Sequence, residues 1–368
     1  MTAVSADALA ARTESNRAFF SDVAEPLARL CHAMSERFAR GGRLVAVGAT
    51  PVARSDARHV AVEFVHPVIV GKRALPAIAL AAEGGDVGAQ LALVAEPDDI
   101  VMAFGSVPLS VARARGCLTI AFAPTGAEWE LVPDTGDPLV AQELAETAYH
   151  VLWELVHVFL EHRGRAHDAG ASSFLYPFLA EGADDLESVV ADVRASILLK
   201  AEETGALREQ TLTEGADALA GAAEALRGGG RLLALGNGGS ATDAMDVVAD
   251  FHGRGLRALD LTEDAAILTA LANDIGTDAI FSRQVIAYGG PGDALIALST
   301  SGNSESVITA LVEARKRGLM TIACVGYGGG RVAAEGLADH VVITRSEHIP
   351  RIQEAQASAY HVLCHLAA

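Results

Sequence analysis

The sequence predicts an α/β fold, a parallel sheet covered by helices on both faces, and it predicts that fold twice over. Three observations carry this. Hydrophobic residues make up 51 % of the 368 positions, with 36 glycines and only 5 % aromatics, a small-residue profile that lets helices sit close on a sheet. The apolar runs, such as RLLAL at 231–235 and ALIALS at 294–299, are continuous, as in strands buried on both faces. The chain also repeats itself in order. GGRLVAVGA (41–49) matches GGRLLALGN (229–237), SDARHVAVEF (55–64) matches TDAMDVVADF (242–251), and ARARGCLTIA (112–121) matches ARKRGLMTIA (314–323). QELAETAYHVLWEL (142–155) matches QEAQASAYHVLCHL (353–366) at eight of fourteen positions. One domain has been duplicated, and the length suits two domains of ordinary size.

Each half reads as the same series. A helix leads into a first strand, a glycine turn and a second helix. A second strand follows (LPAIAL, LRALDL), then a third (IVMAF, ALIALS) with its helix, and a fourth (LTIAFAP, MTIACVG). A fifth strand, HVVITR, is visible only in the second half, and a helix closes each series. The expected boundaries are 1–165 and 191–368, with 166–190 between them as a linker whose SSFLYPFLAE segment is apolar enough to pack. A helical pattern without proline covers about 185–227.

The net charge of −19 leaves no cationic surplus to displace counterions, which argues against a nucleic-acid partner. Cys31, Cys117, Cys324 and Cys364 are scattered without a CxxC pair, as reduced core residues of a cytoplasmic protein would be. No apolar run reaches membrane-spanning length, so no membrane partner is expected.

In open parallel sheets ligands bind beyond the carboxyl ends of the strands, where two loops stand out. Gly236-Asn237-Gly238-Gly239-Ser240 opens a helix, and helix amides attract anions. Alone, Gly236-x-Gly238-x-x-Ala241 also fits a dinucleotide fingerprint with Asp260 as the ribose acid. The second loop, LSTSGNSESV at 298–307, crowds hydroxyls before another helix, which suits a terminal phosphate and has no use in a dinucleotide site.

Taken together, GNGGSATDAM, NDIGTDAIFSRQV, STSGNS and RIQEAQASAYHVL resemble the sugar isomerase (SIS) family, and within it the phosphoheptose (sedoheptulose 7-phosphate) isomerases. The resemblance covers nearly all of 190–368. It implies two tandem SIS domains, each a flavodoxin-like parallel sheet flanked by helices, the first of them degenerate. It also implies aldose–ketose isomerisation of a phosphorylated sugar through an enediol, by acid/base catalysis. The phosphate would be held by Ser299, Thr300, Ser301 and Ser304 with Asn237 and Ser240. Arg254, Asp274 and Gln353 match substrate-binding positions, and His361 matches the catalytic histidine. Asp250 stands where the family has a glutamate, an arm shorter by over 1 Å, and misplacement on that scale costs ~10²-fold in rate.

The first half has AFGSVPLS (103–110) in place of STSGNS, GATPVAR in place of GNGGS, and Pro67 in place of Arg254. Yet His59, Glu63, Gln142 and His150 match the family's histidine, glutamate, glutamine and histidine. His59 and Glu63, four apart, share a helical face. Three readings stand: Zn²⁺ bound by His59, Glu63, Gln142 and His150, direct catalysis by Glu63 and His150, or residual polarity. The resemblance implies pockets between subunits, so two chains would form a four-domain homodimer with composite sites. The alternative is a non-catalytic phosphosugar-binding or protein-binding regulator of the same fold.

Overall fold

The computed structural model describes residues 6–67, 72–81, 85–164 and 186–368. It divides into two compact units, Glu14–Glu203 and Thr204–Ala368, the latter taking in the chain up to Thr13. The expected linker lies outside the described residues up to 185, and from Leu186 the chain is already helical.

The first series runs α1 (Ala6–Ala39), β1 (Leu44–Gly48), α2 (Pro51–Val65), β2 (Ala77–Leu80), α3 (Val87–Val94), β3 (Ile100–Phe104), α4 (Ser110–Ala114), β4 (Leu118–Ala121), β5 (Trp129–Glu130) and α5 (Pro138–Gly164). The second runs α6 (Leu186–Glu214), α7 (Ala216–Leu226), β6 (Leu232–Gly236), α8 (Gly239–Gly253), β7 (Ala258–Asp260), α9 (Ala265–Asp274), α10 (Ser282–Tyr288), β8 (Ala294–Ser299), α11 (Glu305–Lys316), β9 (Met320–Gly326), α12 (Gly330–Ala334), β10 (His340–Thr344) and α13 (Ile349–Ala367). The helical pattern expected over 185–227 is broken at Gly215, where a Cβ would meet the Thr211 carbonyl at 2.8 Å and the Val342 side chain at 2.9 Å.

Among the described residues each unit holds a five-stranded sheet. The orders are β2-β1-β3-β4-β5 and β10-β9-β8-β6-β7, and every pairing is parallel. Read from the opposite edge, the second order is the same as the first, and both are the doubly wound flavodoxin arrangement. The fifth strand hidden in the first half is β5, only two residues long.

Side-chain alternation divides each sheet between two cores. Leu44, Ala46, Ile100 and Met102 face α1, α2 and α5, while Val45, Val47, Val101 and Ala103 face α3 and α4. In the second unit Leu232, Ala234, Ile296 and Leu298 face α7, α8 and α13, and Leu233, Leu235, Leu295 and Ala297 face α10 and α11. Burial of each such Leu, Ile or Val contributes about 1.5–3 kcal/mol.

The repeated GGR has a packing cause. A Cβ at Gly42 would lie 2.1 Å from the Asp98 carbonyl oxygen, and one at Gly230 would lie 1.8 Å from that of Gly292. The following arginine then clamps the turn before the third strand. Arg43 donates to Asp99 from its backbone N–H at 2.9 Å, from Nε at 3.1 Å and from Nη2 at 2.7 Å. Arg231 donates to Asp293 from N–H at 2.9 Å and from Nη2 at 3.0 Å. Burial alone would raise both carboxyls, but these bonds outweigh it and hold each below the ordinary aspartate range.

Candidate functional site

The second unit carries two polar groupings along α8. The first is a cradle at the ends of β6 and β8. Ser299 Oγ accepts the Gly302 N–H at 3.1 Å, and Ser301 Oγ accepts the Asn303 N–H at 3.2 Å. Gly302 takes φ 63°, and a Cβ there would strike the Gly329 carbonyl at 2.3 Å. Asn237 Nδ2 donates to Ser306 Oγ at 3.0 Å, which joins the GNGGS turn to the start of α11. Ser299 and Ser240 are buried, whereas Thr300, Ser301 and Ser304 are half-buried. Neither Gly238 before α8 nor Ser304 before α11 makes a side-chain cap; the Ser240, Ala241 and Val307 N–H groups bond backbone carbonyls of their own turns, and the helix starts still aim their positive dipole ends at the cradle.

The first unit closes the same corner from within. Thr50 Oγ1 accepts the Ala53 N–H at 3.3 Å as the cap of α2. Pro51, at the first helical position, has no N–H to offer. The helix after the third strand, α4, is only five residues long.

The second grouping lies near the other end of α8. His361 Nε2 on α13 is 3.4 Å from Asp250 Oδ2, with His361 fully buried and Asp250 nearly so. Arg254, four residues on and exposed, shares the face of Asp250. Cys364 joins them: burial pushes its thiol up to about 12, the Asp250 charge adds to the rise, and a hydrogen bond with Arg254 opposes it. Eleven residues separate Gly239 from Asp250, so the pair stands about 16 Å along α8 from the cradle. Gln353 comes two turns before His361 and is buried. Its neighbour Ile352 lies against Gly326, whose N–H bonds the Thr300 carbonyl at 3.0 Å, so α13 starts beside the cradle. Asp274 ends α9, exposed, and accepts the Asn273 amide at 2.7 Å. The structure thus gathers Asn237, Ser240 and the Ser299–Ser304 loop at one place and Asp250, Arg254 and His361 at another.

The first unit has a buried cluster between α2 and α5. His59 Nε2 is 3.3 Å from His150 Nε2 and 3.9 Å from Glu63 Oε1, and Tyr149 Oη is 3.0 Å from His59 Nδ1. Burial, then the adjacent His150, holds His59 well below the ordinary imidazole range, so it is neutral at physiological pH. Imidazole nitrogens with a carboxylate are a donor set that zinc accepts. Among the described residues, the three side chains whose donor atoms all come within 4.8 Å of one another are His59, Glu146 and His150. Beside the expected set of His59, Glu63, Gln142 and His150, Glu146 also joins the group, because it sits one turn from His150 on α5, on the face turned to His59. Sequence reading does not single out Glu146, although its spacing of four from both Gln142 and His150 is a usable signal.

Among the described residues no helix is long and apolar enough to cross a membrane. All four cysteines are free and buried.

A family model described as the SIS domain matches residues 200–326. A phosphoheptose isomerase of Rhodospirillum rubrum is 44 % identical over 147 residues, 38 % of this chain and 77 % of its own length. One from Nitratidesulfovibrio vulgaris is 40 % identical over 185 residues, 48 % of this chain and 88 % of its own length. The C-terminal domain of glucosamine-fructose-6-phosphate aminotransferase from Francisella tularensis superposes with a TM-score of 0.61 at 9 % identity. That match covers 98 % of this chain and 93 % of the other, and it shows a shared two-domain fold.

Proposed function

Because the chain belongs to the SIS-domain family, as a relative of the phosphoheptose isomerases, we propose that it is an aldose–ketose isomerase of a phosphorylated sugar of the sedoheptulose 7-phosphate class. The observation that supports this best is the buried Asp250–His361 contact. A module that only binds has no need of a carboxylate and an imidazole held together with an exposed arginine beside them. Asp250 removes the proton next to the carbonyl while His361 protonates the oxygen. The enediol then collapses the other way: His361 takes the neighbouring hydroxyl proton, and Asp250 returns its own to the adjacent carbon. The phosphate sits on the Thr300–Ser304 loop and the uncapped starts of α8 and α11, and Arg254 contacts the sugar end. Since cradle and pair lie at different ends of α8, we assign them to one substrate through two copies of the chain. If a zinc ion is bound, its donors lie in the first unit, where it supplies a cross-link between helices.

An NMR time course of the purified protein with sedoheptulose 7-phosphate tests the reading. We expect turnover, with His361→Ala slower by ~10²–10⁴-fold. The aspartate in place of glutamate favours a second reading, a phosphosugar-binding regulator. A thermal shift with sugar phosphates but no turnover on any of them would establish that reading and reject the isomerase.

A further inference from the structure

We propose that Arg331 is a positioning residue for the phosphate: it neutralises Glu305 at the start of α11, and so lets the Ser299–Ser304 loop accept a dianion. The inference rests on the phosphate cradle of the proposed function and adds to it a residue outside that loop.

The turn after β9 is built against the cradle. The Gly326 N–H donates to the Thr300 carbonyl at 3.0 Å, and the Val332 N–H donates to that of Gly302 at 3.1 Å. A Cβ at Gly330 would lie 2.3 Å from the Ser301 carbonyl oxygen, so the close approach needs glycine there. Tyr327 holds φ 51°, the one positive value outside glycine among the described residues, a conformation that the surrounding contacts must maintain. This turn delivers Arg331. Its backbone N–H donates to Asn303 Oδ1 at 2.9 Å, and the Asn303 N–H in turn donates to Ser301 Oγ at 3.2 Å. The arginine is thus tied through Asn303 to a hydroxyl of the phosphate loop.

Electrostatics explain what it does there. Glu305 directly follows Ser304, so their Cα atoms are about 3.8 Å apart. A carboxylate in the first turn of a helix interacts with the same dipole end that attracts a phosphate, and it repels a dianion besides. The Arg331 guanidinium holds that carboxylate: Nη1 pairs with Glu305 Oε1, and Nε pairs with Glu335 Oε1 at 2.7 Å. Glu335, one turn further on, braces the arginine and leaves Nη1 to Glu305. Exposed pairs of this kind contribute little to stability, so the consequence of this one lies in the field at the cradle. The first unit has lost cradle and arginine together. Counting from the shared TIA, Trp129 stands in the place of Arg331. The turn after β4 directs the N–H groups of Thr125, Gly126 and Ala127 onto its own Glu130 Oε1.

Binding of inorganic phosphate to the full chain, measured by isothermal titration calorimetry, tests this without turnover. Arg331→Met should weaken phosphate about tenfold, the effect of a unit charge on a dianion across about 6 Å at the dielectric of water. The gap to wild type should narrow between about 0.1 M and about 1 M salt, as the screening length falls from about 10 Å to about 3 Å. Adding Glu305→Gln to Arg331→Met should restore wild-type affinity, and Arg331→Lys, which keeps the charge, should retain it. A merely structural arginine would give neither the salt dependence nor the rescue. Unchanged affinity in Arg331→Met overturns the proposal. So does a double variant as weak as Arg331→Met alone, which would place the guanidinium on the phosphate itself. Should Arg331→Met fail to fold by circular dichroism, Glu305→Gln decides alone: it frees the Arg331 charge and should tighten phosphate, and an affinity that stays level or falls rejects the proposal. The isomerase reading fails separately, by absent turnover with the Arg331 dependence intact. A wild-type chain that binds no phosphate rejects the cradle and this inference with it.

Discussion

Under the proposed function, Asp250 takes with one methylene less the place of a glutamate, and the consequence can be measured. The carboxylate rests 3.4 Å from His361 Nε2, beyond ordinary hydrogen-bond length, so the arm falls short of close contact. Asp250→Glu should raise kcat on sedoheptulose 7-phosphate, by up to ~10²-fold if the shortfall lies wholly in positioning. A rate that stays level or drops in the same time course would mean that the pocket has been rebuilt around the shorter side chain. Asp250 and His361 were legible in the sequence because each sits inside a repeated, motif-rich segment. Glu146 was not: one glutamate among several on a long helix has no local mark, and only the packing of α5 on α2 brings it to His59 and His150.

At the scale of elements, the arginine–aspartate clamp is the feature most directly open to experiment, because each sheet carries one. Both aspartates are depressed below their ordinary range when folded. The stabilisation is therefore fully present above the unfolded value of about 3.9 and disappears as pH falls through the folded value. At pH 7, Asp99→Asn or Asp293→Asn should lose about 1.5–3 kcal/mol, the worth of bonds to a charged group. Denaturant melts at successive pH values should show the gap to wild type closing below about pH 4; a gap that persists in acid would mean the bonds do not depend on the charge. The strand series itself could be read from the sequence, since continuous apolar runs separated by helical patterns admit few topologies. What could not be read were short or interrupted pieces. The β5 strand has only two residues and leaves no periodicity, and at Gly215, between α6 and α7, a Cβ would meet the Val342 side chain, more than a hundred positions away.

Across the whole molecule, duplication has left one half with the cradle and the Asp250–His361 contact and the other with the histidine–glutamate cluster. If cradle and pair meet one substrate only through two copies, two inactive variants should complement. Asp250→Ala removes the pair and Ser301→Glu fills the cradle with charge, and co-expression of the two should recover part of the turnover that each lacks alone. An inactive mixture that still assembles, as judged by light scattering, would place the complete site within one copy. The self-capped start of α2 adds a historical consequence. Thr50 already occupies its own helix start, Pro51 has deleted a donor there, and α4 is too short to bring a second helix start to bear. No single substitution reverses all three, so a second cradle here would need changes at Thr50, Pro51 and the α4 segment together. The first half has passed a ratchet: it can drift towards new work, but it cannot return as a spare for its twin.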